Sequence, residues 1–331
     1  MVIQKVAEAE LRPVPRRPSP RARLAALLTA VGVRLFASAL PLNRVGVWFM
    51  RRLVATFMGL FGPPLRGTRV TPVRQGTVVG EWVCGPGVQR GNAAIFYLHG
   101  SGFVICSART HRGLASRLSH LTGLPVFTVD YRLAPEYPFP AAADDIEQSY
   151  RWLLAEGVDA GQVVVAGDSA GGHLALDLVL ENARTQTPQP AGVVLFSPLI
   201  DLTFARAQAQ ERIRRDPMIS AAAARKLIAL YTAGQPDDAP RLQLAHRAGT
   251  VLPPFFVQAG GAEMLSADAR HLHQMVRDGG GSCELEVWPG QMHVFQALPL
   301  LIPEAGLALR RAAAFVADVM TRSANTADKV S

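Results

Sequence analysis

Ser169 lies in a glycine-rich turn whose residue types and spacing are those of a catalytic nucleophile: Gly167-Asp168-Ser169-Ala170-Gly171-Gly172. The turn follows an apolar run at 163–166 and precedes a helix-like stretch at 173–178. A strand that enters a G-x-S-x-G turn and leaves as a helix bends so sharply that glycines must flank the serine. The bend lifts the Ser169 hydroxyl above the sheet and brings the next amide, that of Ala170, to where an oxyanion would form. The sequence therefore predicts nucleophilic catalysis by Ser169, with Asp168 as a supporting residue.

A second glycine-rich loop lies upstream and can supply more backbone amides. The apolar run 94–98 leads directly into His99-Gly100-Ser101-Gly102-Phe103. A glycine-rich loop at a strand end can point several N–H groups at one anion. A tight turn without chemistry would have the same sequence, but the G-x-S-x-G turn favours oxyanion binding. We expect an oxyanion hole made by the amides of Ser101, Gly102 and Ala170, with His99 and Gly100 as supporting residues.

A third segment is more specific than either glycine turn: Tyr131-Arg132-Leu133-Ala134-Pro135-Glu136-Tyr137-Pro138-Phe139-Pro140-Ala141, followed by Asp144-Asp145. With the two glycine motifs, and with 197–202 and 291–295 in the same order, it resembles the hormone-sensitive-lipase-like family of α/β-hydrolases (bacterial family IV esterases). The resemblance runs from about residue 75 to about residue 318. It implies an α/β-hydrolase fold with a helical cap. It also implies a serine carboxylesterase that hydrolyses short- to medium-chain acyl esters through an acyl-enzyme.

A serine nucleophile needs a general base, and histidine can accept its proton near neutral pH. Of the eight histidines, His293 is best placed, because it follows a strand-like run at 283–288 and a turn. His173 lies within the helix that leaves the serine turn, where a packed core residue is the simpler interpretation. His271 and His273 are two residues apart on a helix pattern and therefore point in different directions. We expect His293 to be the base.

The acid that orients this histidine is expected after the strand-like run 255–259, in the chain order serine, acid, histidine. Members of the family usually carry an aspartate in a D-P-L-type turn here, whereas this chain has Glu263. An ionised glutamate can also accept the Nδ1–H of His293. Asp268 is the alternative, and a first-turn carboxylate favoured by the helix dipole explains it without catalysis. The predicted triad is Ser169, Glu263 and His293.

The chain is long and apolar enough, at 331 residues and 49% hydrophobic, to bury a large core and carry an appended cap. Strand-like runs alternate with helical segments, as in a mostly parallel central sheet flanked by helices on both faces. These runs are 94–98, 125–129, 162–166, 191–196, 255–259 and 283–288. We expect an N-terminal cap arm at 1–60, the hydrolase core at 61–204 and 251–322, a cap insertion at 205–250, and a flexible tail at 323–331.

Positive charge is concentrated in the N-terminal arm. Residues 1–74 contain thirteen basic residues and two glutamates, a net charge of +11, while the other 21 basic and 24 acidic residues give −3. Arginines interrupt the apolar runs of the arm, which fall short of the ~20 residues that a membrane span needs. Membership of the family would make the arm part of the cap. Peripheral contact with an anionic membrane through the arginines is the second interpretation. Nucleic-acid binding is the weakest, because apolar packing accounts for the few aromatic residues.

A secretory leader is a further interpretation of the arm. Arg21 and Arg23 would precede the apolar region Leu24–Val33, and Ala37-Ser38-Ala39 would be the cleavage site. Arg34 interrupts this pattern, and the lead before it is long, basic and proline-rich. We therefore expect a cytoplasmic protein, associated with membranes if the arm binds lipid, rather than a secreted one.

The mechanism implied by these residues uses a small-molecule ester substrate and no cofactor or metal. Cys84, Cys106 and Cys283 form no C-x-x-C pattern and are explained as small buried hydrophobes. The substrate is less well determined, because the cap and the pocket decide the leaving group. A deacetylase or amidase acting on a specialised natural product, and a catalytically silent ligand-binding homologue, are the alternatives. The oligomeric state is left open.

Overall fold

The computed structural model describes residues 13–32, 34, 41–236 and 238–327. Its strands are β1 (Arg69–Gln75), β2 (Val78–Cys84), β3 (Ala94–Leu98), β4 (Val126–Val129), β5 (Val163–Asp168), β6 (Gly192–Phe196), β7 (Phe255–Gly260) and β8 (Cys283–Trp288). They form one sheet in the order β1-β2-β4-β3-β5-β6-β7-β8. The pairs β1–β2 and β2–β4 are antiparallel, and the other neighbours are parallel. The predicted mostly parallel sheet is confirmed.

Helices precede, connect and follow these strands. They are α1 (Pro20–Val31), α2 (Arg44–Phe61), α3 (Ala108–Thr122), α4 (Ala141–Ala155), α5 (Ala170–Thr185), α6 (Ala205–Ile213), α7 (Ala221–Ile228), α8 (Ser266–Asp278) and α9 (Glu304–Ala327), with short 3₁₀ turns at Ala160–Gln162 and Phe295–Ala297. Polar side chains cap four of the helix starts, Ser19, Asn43, Ser107 and Ser220. Gly123, at φ 73°, ends α3 in the left-handed conformation that glycine tolerates best.

The central strands are buried on both faces, which is why their sequences are apolar throughout rather than alternating. Phe96 of β3 faces α4, where its ring lies edge-on to Tyr150 at a centroid distance of 5.7 Å. Its neighbours Ile95 and Tyr97 face the opposite layer, which contains α3 and α9. Successive side chains of one strand thus enter two separate hydrophobic clusters, and both layers of helices are held by the same strands.

The six predicted strands are present, with ends that differ by at most two residues. The structure adds β1 and β2, which the apolar runs did not indicate. β1 is an edge strand that pairs only with β2, and most of its side chains are exposed, so its sequence is polar and contains Pro72. In β2, Gly80 interrupts the apolar run, because a Cβ there would lie 2.6 Å from the carbonyl oxygen of Thr128.

The N-terminal arm packs against the hydrolase body. Ala22 and Ala25 of α1 share a hydrophobic cluster with Trp288 and Phe295. The end of α2 lies so close to α3 that a Cβ on Gly113 would be 1.7 Å from the carbonyl oxygen of Gly62. No helix within the described residues is long and apolar enough to cross a membrane. The leader interpretation depends on Ala37-Ser38-Ala39, which lies outside the described residues.

The expected tail at 323–331 is partly wrong. Helix α9 continues to Ala327, so the first five residues of that segment are helical. They include no glycine or proline that would end a helix. The rest of the segment, 328–331, lies outside the described residues.

Candidate active site

The serine turn is a sharp bend between β5 and α5. Ser169 has φ 51° and ψ −119°, an uncommon conformation for a residue with a side chain. A Cβ on Gly167 would lie 2.6 Å from the carbonyl oxygen of Gly171, and one on Gly171 would lie 2.0 Å from that of Leu98. Only glycine fits at both flanking positions. The close approach to β3 and the turn itself hold the serine at the apex of the bend.

The three predicted triad residues lie in one chain of contacts. Ser169 Oγ is 3.0 Å from Nε2 of His293, and Nδ1 of the same ring is 2.5 Å from Oε2 of Glu263. These groups follow β5, β8 and β7, whose carboxyl ends meet at one edge of the parallel sheet. A hydroxyl in contact with an imidazole, itself held by a carboxylate, can become a nucleophile toward a carbonyl carbon.

The Glu263 side chain is buried completely and has hydrogen-bond partners for both oxygens. Its Oε1 accepts hydrogen bonds from Ser197 Oγ at 2.7 Å and from the Gly260 amide at 2.5 Å. Ser197 Oγ in turn accepts one from the amide of Val294, next to the base. Ser197 therefore joins the acid to the loop of the base. Sequence reasoning assigned it no role, although its place at the end of β6, between the strands of serine and acid, was an available signal.

Two opposing effects act on the pKa of His293. Burial lowers it, but the charge of Glu263 and the hydrogen bond to that carboxylate raise it, with smaller contributions from Asp216 and Asp168. The pKa ends above its ordinary value. The carboxylates thus stabilise the imidazolium that forms when His293 takes the serine proton.

The oxyanion loop lies directly against the serine turn. A Cβ on Gly100 would be 2.1 Å from Oδ2 of Asp168 and 2.9 Å from Cβ of Ser169. Within the described residues, no acceptor is bonded to the amides of Ser101, Gly102 or Ala170. The geometry therefore keeps three backbone donors available beside the serine, in the region where the sequence predicted an oxyanion hole.

The hydroxyl of Ser101 is committed to the loop itself. It donates to the carbonyl of Gly100 and accepts a hydrogen bond from the amide of Cys106 at 2.7 Å. Its single proton is used in this way, so the side chain braces the loop and is not an additional donor for a ligand.

Asp168 connects the oxyanion loop to the sheet. Its Oδ1 accepts hydrogen bonds from Tyr97 Oη at 2.7 Å and from the Gly100 amide at 3.1 Å, and lies 3.2 Å from Nε2 of His111. Burial raises the pKa of this carboxyl, but His111 and Tyr97 together lower it by more than burial raises it, so the pKa ends below its usual value. His111 was not identified from the sequence, because it lies on α3, and nothing local indicates its contact with Asp168.

His99 supports the oxyanion loop as a neutral ring. It stacks on Tyr131 at a centroid distance of 4.2 Å, and the Tyr131 hydroxyl donates to the His99 carbonyl at 2.7 Å. Burial, with the charge of His111, lowers the pKa of His99 to about 3. The ring is therefore uncharged near neutral pH and braces the loop by packing. Tyr131 is the first residue of the specific segment at 131–141.

Asp268, the alternative acid, lies in a different contact network. Its Oδ2 accepts hydrogen bonds from the amides of Ile200 at 2.7 Å and Asp201 at 2.9 Å, in the loop after β6. The residue is fully buried, and burial, only partly offset by these hydrogen bonds, raises its pKa to about 7. It anchors the loop to α8 and, among the described contacts, has none to His293.

A cavity of about 550 Å³ opens at Ser169 and is lined mainly by apolar side chains. The arm contributes residues of α1 and α2, among them Leu53, Phe57 and Met58. The stretch 205–250 contributes Met218, Ile219, Leu227 and others. Both predicted cap segments therefore border the same cavity. Among the described residues, no group of three or more His, Cys, Asp or Glu is arranged to hold a metal ion.

The chain is similar to known esterases on the α/β-hydrolase fold. A family model for the alpha/beta hydrolase fold matches residues 95–297. A carboxylesterase/phospholipase of Mycobacterium tuberculosis, LipF, is 34% identical over 323 residues, covering 92% of this chain and 84% of the relative. An acetyl-hydrolase of Streptomyces hygroscopicus is 37% identical over 244 residues, covering 74% of this chain and 81% of the relative. A crystal structure of an esterase from the bacterial hormone-sensitive lipase family superposes with a TM-score of 0.82 at 33% identity, covering 91% of this chain and 99% of that one.

The contacts of Glu263 and Asp268 predict a large effect for one of two matched substitutions and a small effect for the other. Glu263→Gln should lower the pKa of His293, because the carboxylate charge is lost while burial remains. It should also slow labelling of Ser169 by a fluorophosphonate by roughly 10²-fold or more. Asp268→Asn should leave the pKa of His293 unchanged and slow labelling less than about tenfold.

NMR titration of the His293 ring and timed labelling check both effects, with thermal unfolding recorded for each variant. If the Asn variant lost its reactivity while the Gln variant kept it, Asp268 would be the acid.

Proposed function

This chain belongs to the hormone-sensitive-lipase-like family of carboxylic-ester hydrolases on the α/β-hydrolase fold, and from that premise we propose that Ser169, His293 and Glu263 hydrolyse short- to medium-chain acyl esters. The observation that carries the proposal is the unbroken chain of contacts from Ser169 Oγ through the His293 ring to Glu263. At its Ser169 end lie three backbone amides without a described acceptor.

In the first half of the proposed reaction, the ester carbonyl carbon lies next to Ser169 Oγ. The hydroxyl attacks while Nε2 of His293 takes its proton, and Glu263 keeps the ring in the productive tautomer. Negative charge builds on the carbonyl oxygen, where the amides of Ser101, Gly102 and Ala170 donate to it. His293 then gives the proton to the leaving alcohol, and the acyl group remains on Ser169.

The second half repeats the chemistry with water. His293 takes a proton from a water molecule as that water attacks the acyl carbon. The same amides receive the oxyanion, and collapse of the intermediate returns the proton from His293 to Ser169 Oγ. The products are a carboxylic acid and the free enzyme, and no cofactor enters the balance.

The size of the proposed substrate follows from the cavity. Arm and cap-insertion residues border it, and its volume of about 550 Å³ lies within the usual range for small-molecule sites. Apolar walls favour an acyl chain, while the bounded space disfavours the three long chains of a triglyceride. This supports esters of roughly C2 to C8 acids, which dissolve or form small aggregates in water. A deacetylase acting through the same triad is the second candidate, supported by a relative that is named an acetyl-hydrolase.

We also propose that the N-terminal arm, besides packing against the hydrolase body, contacts an anionic lipid surface. The outer faces of α1 and α2 expose large apolar side chains: Leu24, Leu27, Leu28, Val31, Val45, Trp48 and Leu60. Arg23 and Arg52 are exposed beside them, and Arg52 lies over the Trp48 ring at 5.3 Å. The sequence has no acidic residue between Glu10 and Glu81. An apolar surface on a segment whose own charged residues are all basic is complementary to negatively charged headgroups over acyl chains.

The position of this surface relates it to the proposed reaction. Leu53 of α2 is 44% exposed and also lines the cavity. The apolar surface is therefore continuous with the rim of the cavity, so a docked molecule would place that rim at the lipid. A relative named carboxylesterase/phospholipase is consistent with substrates drawn from such a surface.

The nucleophile is tested by Ser169→Ala. Because the turn places one hydroxyl at its apex, the variant should lose fluorophosphonate labelling and retain about 10⁻³ or less of the wild-type kcat on p-nitrophenyl butyrate. Mass spectrometry of the labelled wild-type protein locates the modified residue. Labelling that persisted in the variant, for example on Ser101, would remove Ser169 from the mechanism.

Acyl preference is tested with a panel of p-nitrophenyl esters from C2 to C16 and a parallel panel of acetate esters varied in the alcohol. We expect kcat/KM to be highest between roughly C2 and C8 and to fall steeply beyond, because the cavity is bounded. Emulsified trioleate should be hydrolysed more slowly than dissolved butyrate esters. The reverse ranking would identify a true lipase.

Lipid contact is tested by vesicle sedimentation with phosphatidylglycerol and phosphatidylcholine vesicles. Binding to the anionic vesicles should weaken as salt rises, because charges are screened over about 10 Å at 0.1 M. The double variant Leu27→Ser/Leu28→Ser should bind less, whereas Val251→Ser, at an equally apolar site 83% exposed outside the arm, should bind like wild type. Absence of binding at low salt would leave the arm with its cap role alone.

A further inference from the structure

We infer that Asp216, in the loop between α6 and α7, is a positioning residue for the triad acid, and that Arg34 of the arm holds it in place. The inference rests on the proposed function and deepens it. It adds to the triad a fourth residue and a second carboxylate, which comes from the cap insertion rather than from the sheet.

The contacts of Asp216 reach the turn that carries the acid. Its carboxylate is almost fully buried, at 1% exposure, and lines the cavity at Ser169. Oδ2 accepts a hydrogen bond from the amide of Met264, the residue after Glu263, at 2.8 Å. Oδ1 accepts from the amides of Met218 and Ile219, at 2.7 and 3.2 Å, within its own loop. One side chain thus fastens the cap loop to the backbone of the acid.

A second contact joins the same two segments. Arg214, two residues before Asp216, donates from Nη1 to the carbonyl of Gly261 at 3.3 Å. The acid turn is therefore held by the cap on both sides of Glu263. A shift of the cap loop would pull on the backbone that carries the carboxylate, 2.5 Å from His293.

The arm grips this loop through Arg34. Its Nη1 donates to the carbonyl of Asp216, and its Nη2 pairs with Oε1 of Glu211 at 2.7 Å. The other oxygen of Glu211 accepts from the amide of Ala221 at 2.9 Å, at the start of α7. Arg34 therefore contacts the α6–α7 loop at Asp216 and is linked to the start of α7 through Glu211. These contacts connect the arm, the cap insertion and the acid turn.

Asp216 also contributes charge. The ionisable groups acting on His293 are Glu263 from the β7 turn, Asp168 from the end of β5, and Asp216 from the cap. Those acting on Asp216 are His293 and Glu263, with the Arg34 guanidinium on its carbonyl. A buried carboxylate is costly unless it has partners. Burial, with the charge of Glu263, raises the pKa of Asp216, while the amides of Met264 and Met218 and the charge of His293 oppose that rise. In its ionised form the carboxylate favours the imidazolium that the proposed reaction forms.

The test separates positioning from a merely structural role by its pH profile. Asp216→Asn keeps the size and one acceptor oxygen but loses the charge. The acid limb of the kcat/KM profile should therefore move to lower pH, by roughly half a unit to one unit. We expect kcat to fall roughly three- to thirtyfold with KM within about twofold, because the acid and not the pocket is disturbed.

The matched control is Asp268→Asn. Asp268 is another buried aspartate that accepts hydrogen bonds from two backbone amides, and it has no described contact to the triad. It should leave the pH profile in place. An Asp216→Asn enzyme whose pH profile matches the control and whose kcat/KM is within twofold of wild type would overturn the inference. Fluorophosphonate labelling of wild-type Ser169 in the same series tests the proposed function separately.

Arg34→Gln provides a second route if Asp216→Asn does not fold. This variant releases the cap loop while the buried carboxylate keeps its charge. The kcat should fall about threefold and the acid limb should stay at the wild-type pH. An unchanged kcat in this variant would show that the arm does not position the acid, and would also overturn the inference.

Discussion

The contact between the buried carboxylate of Glu263 and Nδ1 of His293 is the interaction on which the rest of the site depends. A fully buried carboxylate is costly to ionise unless its oxygens have partners. Here those partners are His293, Ser197 and the amide of Gly260. His293 follows β8, Ser197 follows β6 and Gly260 is the last residue of β7. The need to supply partners for the Glu263 carboxylate therefore constrains how three neighbouring strands end. Ser169, after β5, completes a row of four polar groups along one edge of the sheet.

The oxyanion side of the site depends on steric closeness instead. The loop after β3 touches the serine turn so tightly that Gly100 and Gly171 admit no side chain. Asp168 then binds the Gly100 amide and Tyr97, so the loop cannot drift from the sheet. Close approach and one buried carboxylate together hold the backbone amides of the loop against the serine turn, without a flexible side chain that would have to be ordered.

The cavity has a different origin from the triad. Its reactive groups come from strand ends, while its walls come from the arm and from the stretch 205–250. A sheet of rigid parallel strands can hold catalytic groups to a fraction of an ångström, and appended helices can vary the walls without disturbing them. The Asp216 and Arg34 contacts qualify this separation, because they tie the walls to the acid turn.

Much of this was available in the sequence because the informative features are local. The glycine turn, the apolar run before it and the helix after it lie within 163–178, so the nucleophile needs no distant contact to be recognised. The base and the acid were expected because each follows a strand-like run in a fixed chain order. Even the choice of Glu263 over Asp268 rested on distance along the chain from the end of a strand. The apolar runs did not predict β1, because the side chains of an exposed edge strand do not have to be apolar.

The sequence by itself therefore determined six of the eight described strands, the two glycine loops and the three residues of the proposed triad. Beyond His99, Gly100 and Asp168, only the tertiary structure decided which further groups support them. Ser197 reaches Glu263 across 66 residues, and Asp216 reaches the amide of Met264 across 48. His111 of α3 meets Asp168 at the end of β5. Such contacts have no local pattern, because buried polar groups take whichever partner the packing of distant elements brings within hydrogen-bond distance.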